Sequence, residues 1–215
     1  HGTWIVRTAL PEARIISMDP NPPKSRLDGV EYLVGKDFVD FSKVDWEARG
    51  IDPDRTVVFL DDHQSAYKRA FLQNEHRFYR FLIDDNYGYL EGDAMSFKSV
   101  CEVERESLWT GKVLDDFGRI EAPMTWTKHM EQVAFLKKAL VTYYEFPPTA
   151  SSELTRQKRY DPRYTSAPIV TDPGFFEEHL AKYNRWHNWG ELTSYFHFSY
   201  VEIDPAVIGE APSFP

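Results

Sequence analysis

Short apolar runs alternate with helix-like stretches along the first half of the chain. The predicted strands cover residues 13–18, 30–34, 56–60 and 78–83, and each ends at or just before Gly, Pro or Asp. Continuous apolar strands with helical connections are typical of a parallel sheet that is buried on both faces. The pattern therefore predicts an α/β fold, with a doubly wound, mostly parallel sheet and helices on both faces.

The intervening stretches carry apolar residues at helical spacing. Predicted helices cover residues 3–10, 42–49, 64–77, 127–140 and 175–186, and a last strand covers 194–203. Thr127 is the candidate N-cap of the fourth helix. The Pro- and Tyr-rich stretch 146–173 is predicted to be an ordered excursion or lid. A length of 215 residues suits a single domain spanning 1–215.

Composition narrows the range of partners. The formal net charge of −9 argues against nucleic acid, because binding to a polyanion rests on basic surface. The single cysteine favours a reducing compartment, and we expect a cytoplasmic protein. No apolar run is long enough for a transmembrane helix, and the start of the chain lacks a signal-peptide pattern. Oligomeric state is left open.

Acidic residues stand at the ends of all four early strands. The acids concerned are Asp19, Asp37, Asp61, Asp62, Asp84 and Asp85. Ligands of open α/β sheets bind beyond the carboxyl ends of the strands, and clustered carboxylates are costly unless a cation compensates them. A hard divalent cation, Mg²⁺ above all, is the predicted occupant between the third and fourth strands. The alternative interpretation is that the acids cap the helices that follow.

Other residues are candidates for supporting roles. His63 directly follows the first acidic doublet and is a candidate general base, or simply a surface histidine. Asp19 could accept hydrogen bonds from ribose hydroxyls. Gly2 and Thr3 could supply backbone N–H groups at a helix start. Asp37 and Phe38 could cradle an adenine ring, although Phe38 is nearly as well explained as a core residue.

The run from Val57 to His63, followed by the run from Leu82 to Asn86, resembles class I Rossmann-like O-methyltransferases that use S-adenosylmethionine and a divalent metal. It is similar to catechol O-methyltransferase and to the macrolide-sugar and cephalosporin-biosynthesis CmcI-like enzymes. The resemblance covers residues 2–86; residues 143–148 and 195–203 resemble only the closing strands of that fold. The first strand and glycine-rich loop expected of such a sheet precede residue 1 or are differently placed.

The resemblance implies a methyl donor, a metal held by one or both acids of each doublet, and a hydroxyl acceptor. The expected acceptor is a sugar or glycan hydroxyl, or a small phenol or natural product. His63 would remove the hydroxyl proton. Three rivals remain: a haloacid-dehalogenase-type phosphatase, which lacks its second Asp here, a metal-dependent glycan- or nucleotide-sugar-modifying enzyme such as a glycosyltransferase, and a non-catalytic binding module. Aromatic residues that could stack on a sugar are Trp109, Trp126, Tyr160, Tyr164, Trp186 and Trp189.

Overall fold

A computed structural model describes residues 2–115, 121–146 and 197–213. The chain folds as two compact units, His1–Ile51 and Asp52–Pro215. The described part has mixed α/β architecture, with three small sheets rather than one. A doubly wound sheet is thus not confirmed as the fold class. Within the described residues, no helix has the length and apolar content needed to cross a membrane.

The first unit contains helix α1 (Gly2–Ala9) and the parallel strands β1 (Ile15–Asp19) and β2 (Val30–Val34). Register pairs run from Ile15 with Val30 to Asp19 with Val34, so both strands end at the same edge. Arg14 and Arg49 both pair with Glu31 on β2, at 3.0 and 2.5 Å, and these ion pairs are partly exposed to solvent. The helix and both strands were predicted to within two residues.

One predicted helix of this unit is wrong. Residues 42–49 form a short 3₁₀ turn, Phe41–Lys43, followed by turns. The cause lies in two aspartates. Asp40 accepts a hydrogen bond from the Ser42 N–H at 2.9 Å, and Asp45 accepts one from the Ala48 N–H at 2.9 Å. Side-chain acceptors of this kind compete with the helical backbone and favour separate turns.

The second unit is built on a four-stranded sheet in the order β3–β4–β8–β7. Its strands are β3 (Val58–Leu60), β4 (Arg80–Ile83), β7 (Leu140–Glu145) and β8 (Ser199–Ile203). β3 and β4 are parallel, while β8 runs antiparallel to both of its neighbours. Strands β3, β4 and β7 therefore share one direction, and their carboxyl ends lie at one edge of the sheet.

Two further helices and a hairpin complete the unit. They are α2 (Phe97–Glu102), the antiparallel pair β5 (Lys112–Leu114) and β6 (Glu121–Pro123), and α3 (Trp126–Ala139). Thr125 caps α3 by accepting from the Lys128 N–H, two residues before the predicted cap at Thr127. The predicted helix at 175–186 and most of the predicted lid, from residue 147 onwards, lie outside the described residues.

The connection after β3 is shorter and tighter than the predicted helix at 64–77. Its core is a π-helical segment, Lys68–Leu72, that ends near Asn74. The Asn74 amide donates to the carbonyls of Ala70 and Phe78 and accepts from the Phe78 N–H, which ties the end of the segment to the chain entering β4. Phe71 packs against Phe135 with ring centroids 4.9 Å apart, so the segment is anchored in the core.

Candidate metal centre at the ends of two parallel strands

The two acidic doublets lie side by side because β3 and β4 are parallel and in register. Leu60 pairs with Ile83, the last residues of the two strands. The Asp84 N–H donates to the Leu60 carbonyl at 2.9 Å, so pairing continues into the second doublet. The structure thus brings residues 61–63 and 84–86 to one edge of the sheet, as the sequence predicts.

Three side chains converge there. Ligand atoms of Asp61, His63 and Asp85 all lie within 4.8 Å of one another. The imidazole Nδ1 of His63 is 3.2 Å from Asp85 Oδ2. Two carboxylates and an imidazole fit a divalent cation, the carboxylates suiting Mg²⁺ and the imidazole suiting a first-row transition metal as well. The donor set therefore fits the predicted kind of ion.

The backbone is held in an unusual conformation at two of these three positions. His63 has φ 52° and Asp85 has φ 58°, both in the left-handed region that non-glycine residues rarely occupy. Each such residue costs about 1 kcal/mol or more and persists only where the surroundings fix it. Strain of this kind concentrates at ligand clamps and active sites.

The electrostatics of the cluster oppose full ionisation without a cation. Desolvation, and then repulsion by Asp84 and Asp85, raise the pKa of Asp61. Desolvation and repulsion by Asp84 likewise raise the pKa of Asp85, against a hydrogen bond from Tyr87 and the attraction of His63. A bound cation would remove both penalties. This is the pattern expected of carboxylates arranged to receive positive charge.

Neighbouring carboxylates stabilise the charged form of His63, whereas they destabilise the charged forms of Asp61 and Asp85. Desolvation lowers the pKa of the imidazole, but the carboxylates of Asp85 and Asp93 raise it, and the net shift is upward. The side chain is half exposed, so it can meet a ligand entering from solvent. It is therefore placed as a proton acceptor or as a metal ligand.

The other member of the first doublet faces a different partner. Asp62 Oδ2 accepts from Nε of Arg69 at 2.7 Å and lies 2.7 Å from its Nη2. Arg69 is only 3% exposed and belongs to the π-helical segment. Both contacts go to the same carboxylate oxygen, and this charge-assisted pair ties the turn after β3 to the π-helical segment. Asp62 lies outside the group of three ligand atoms, and its predicted metal role stays a prediction.

The second strand end is anchored by Asn86, which is 1% exposed. Its amide donates to the Tyr143 hydroxyl at 2.7 Å, and its carbonyl accepts from the Lys98 N–H at 3.1 Å. Tyr143 in turn donates to Glu145, which pairs with the Lys98 ammonium at 3.2 Å. This buried network ties the turn after β4 to β7 and α2. Asp84 supports the same turn by accepting from the Asp85 N–H at 3.0 Å.

Sequence reasoning missed one member of the site, Asp93. Its Oδ2 lies 2.8 Å from Nδ1 of His63, closer than Asp85. Its Oδ1 is buried and has no hydrogen-bond partner among the described residues. The other acids were predicted because each follows a strand, and Asp93 follows no strand of the described part. Gly92 directly before it, a residue that often marks a tight turn, was the available signal.

The predicted cofactor residues belong to the first unit. Gly2 and Thr3 lie in the first turn of α1, and the Thr3 hydroxyl is 3.3 Å from the Ser17 hydroxyl on β1. Asp19 ends β1 and is exposed, with Oδ1 accepting from the Asn21 N–H at 2.6 Å. Asp37 ends a 3₁₀ turn just past β2, and Phe38 follows it. Asp19, Asp37 and Phe38 thus stand at the same edge of the β1–β2 pair, and their cofactor role stays a prediction.

The predicted aromatic surface is described only in part. Trp109 stacks between Tyr89 and His129, at centroid distances of 5.2 and 4.1 Å, and Trp126 adjoins it. His129 is buried and hydrogen-bonded to the Val103 carbonyl, whereas Tyr89, Trp109 and Trp126 are partly exposed, so the rings pack on one another but stay in part open to solvent. Four further predicted residues, Tyr160, Tyr164, Trp186 and Trp189, lie outside the described residues.

Comparison with family models, curated proteins and solved structures finds no match for this chain.

Proposed function

We propose that this protein is a metal-dependent O-methyltransferase that transfers a methyl group from S-adenosylmethionine to a hydroxyl, with a sugar or glycan hydroxyl as the first candidate acceptor. The observation that carries the proposal is the convergence of Asp61, His63 and Asp85 within 4.8 Å at the ends of two parallel strands. Their arrangement combines a cation site with an adjacent base, which is what activation of a hydroxyl requires.

The proposed ligands are Asp61 and Asp85. Asp62 and Asp84 stabilise the turns around them: Asp62 pairs with Arg69, and Asp84 accepts a hydrogen bond from the Asp85 N–H. A divalent cation held there would supply Lewis acidity, which favours ionisation of a nearby hydroxyl. The role proposed for His63 is to accept the hydroxyl proton, and the protein otherwise contributes positioning of the two reactants.

The strand arrangement supports a Rossmann-like class I fold as the finer proposal. β1–β2 and β3–β4 are parallel pairs. Residues 143–145 of the first segment that resembles a closing strand lie in β7, residues 199–203 of the second form β8, and β8 pairs with β4. The proposed methyl donor would contact Gly2, Thr3, Asp19, Asp37 and Phe38. Its assignment rests on the sequence resemblance and on the common edge that Asp19, Asp37 and Phe38 share.

The test is calorimetric binding of S-adenosylhomocysteine to the full chain, with and without Mg²⁺. We expect binding in both conditions, and separate binding of Mg²⁺ that Asp85→Ala abolishes. Glu91→Ala is the matched control, since it removes one exposed acid from the same region. No binding of S-adenosylhomocysteine by folded protein would defeat the methyltransferase proposal. Metal-dependent binding of a nucleoside diphosphate instead would favour the nucleotide-sugar alternative.

A further inference from the structure

The His63–Asp93 contact determines which imidazole nitrogen carries the proton. Nδ1 of His63 lies 2.8 Å from Asp93 Oδ2 and 3.2 Å from Asp85 Oδ2. Ionised carboxylates only accept hydrogen bonds, so Nδ1 is the donor of the hydrogen bond to Asp93, and the Asp85 oxygen lies beside the same N–H. In the neutral ring, the other nitrogen, Nε2, then holds the free lone pair. The geometry thus selects one of two tautomers.

Asp93 is better suited than Asp85 to hold this tautomer. Its contact is the shorter by 0.4 Å, the difference between 3.2 and 2.8 Å. Asp85 is also bonded to Tyr87 and belongs to the proposed metal ligands. A cation on Asp85 would compete for the oxygen that faces His63. Asp93 is outside the group of three ligand atoms, so its carboxylate stays available to the imidazole.

The chain places Asp93 by a close approach that only glycine permits. Gly92 has φ 72°, and a Cβ built on it would lie 2.1 Å from the Tyr87 ring. The ring therefore rests directly on the Gly92 backbone, one residue before Asp93. Tyr87 also contacts the His197 ring at 4.2 Å and bonds to Asp85. Residues 85–93 thus connect Asp85 to Asp93, and within them the Tyr87 ring packs on Gly92 and its hydroxyl bonds to Asp85.

We propose that Asp93 is the positioning residue of His63, holding the proton on Nδ1 and presenting Nε2 as the base for the acceptor hydroxyl. This inference rests on the proposed function and gives it a defined proton path. The hydroxyl proton passes to Nε2 as the oxygen attacks the methyl carbon. The carbon–sulfur bond breaks, and its electron pair goes to sulfur. The resulting imidazolium keeps both protons, with Asp93 opposite its positive charge.

Nitrogen-15 NMR of the histidine-labelled full chain tests the assignment directly. His63→Gln identifies the His63 signals, and spectra are recorded at a pH where the imidazole is neutral. Wild-type protein should show predominantly the Nδ1–H tautomer. Asp93→Ala should lower the ratio of Nδ1–H to Nε2–H about tenfold, the effect of losing one charge-assisted hydrogen bond. Asp93→Asn retains an acceptor oxygen and should restore part of the preference, while Glu91→Ala should leave it unchanged.

Three results would overturn the proposal. The first is a predominant Nε2–H tautomer in the wild type, and the second is a tautomer ratio that Asp93→Ala does not change. The third is loss of Mg²⁺ binding in Asp93→Ala, which would make Asp93 a ligand instead of a positioning residue. The tautomer is measured without methyl donor or acceptor. A failure of S-adenosylhomocysteine binding would therefore defeat the proposed function while leaving this measurement to judge the His63–Asp93 pair separately.

Discussion

The turns after β3 and β4 are held in place by different interactions. Each presents one carboxylate to the site, Asp61 or Asp85, and anchors the neighbouring polar side chain in the protein. After β3 the anchor is an ion pair between Asp62 and buried Arg69. After β4 it is the neutral amide of Asn86, bonded to Tyr143 and the Lys98 backbone.

The difference teaches that an acidic doublet is not a uniform ligand set. The Asp62 carboxylate is neutralised by an arginine, whereas Asp61 and Asp85 have raised pKa values because desolvation and repulsion between carboxylates outweigh the attraction of His63. Charge compensation by a buried arginine marks an anchor. A carboxylate with a raised pKa beside a strained backbone position marks a candidate ligand.

The largest expected effect comes from removing the anchor after β3. Arg69→Met leaves Asp62 without its cation, and we expect the free energy of unfolding to fall by about 2–3 kcal/mol, because Arg69 is buried while Asp62 keeps part of its contact with solvent. Urea denaturation measures the change. Arg55→Met replaces an exposed arginine and should change stability by no more than about 0.5 kcal/mol. Equal effects of the two variants would contradict the anchoring role.

The loop that delivers Asp93 offers the next largest effect. Gly92→Ala introduces a Cβ at 2.1 Å from the Tyr87 ring as well as strain at φ 72°. Gly111→Ala meets the same kind of strain, at φ 80°, with nothing within 4 Å. We expect Gly92→Ala to cost about 2 kcal/mol more than Gly111→Ala in thermal or urea unfolding, because overpacking adds to the backbone strain. A similar cost for both variants would show that the Tyr87 ring can move aside at little cost in free energy, and would contradict this prediction.

Binding of Mg²⁺ tests the different roles proposed for Asp84 and Asp85. Asp85→Asn should weaken Mg²⁺ binding at least tenfold, since it removes a charged ligand. Asp84→Asn keeps an oxygen that can accept from the Asp85 N–H, and should have a much smaller effect. Isothermal calorimetry with Mg²⁺ alone measures both. The reverse ranking would place the ligand at Asp84 and refute the assignment drawn from the strand ends.

The pH dependence gives the smallest effect, and its sign follows from the raised pKa values. A carboxyl whose pKa is higher in the folded protein binds more protons there, so stability falls as pH rises through that pKa. His63, also raised, loses its contribution as pH rises through its folded pKa. Metal-free protein should thus lose stability with rising pH, while Mg²⁺ affinity increases by up to about tenfold per proton released. Thermal melts with and without Mg²⁺ across pH would show opposite trends.

Much of the local structure was predictable from the apolar pattern. Strands β1 to β4 and helix α1 fall where the pattern predicts them, within about two residues, because short apolar runs bounded by Pro, Gly and Asp have few alternatives. The helix predicted at 42–49 is wrong because the aspartates of this segment favour turns, and helical spacing does not take that preference into account. The π-helical turn at Lys68–Leu72 depends on anchoring by the core, which the local pattern does not encode.

The sequence by itself determined that acids would end adjacent strands and that His63 would stand beside them, because strand direction and residue order fix that edge. Tertiary structure alone decided which acids face the site, since Asp62 turns to an arginine seven residues on and Asn86 to a tyrosine on β7. It also added Asp93, whose place depends on a ring packed against Gly92. Hydrogen-bond partners are chosen by packing in three dimensions, and spacing along the chain cannot specify them.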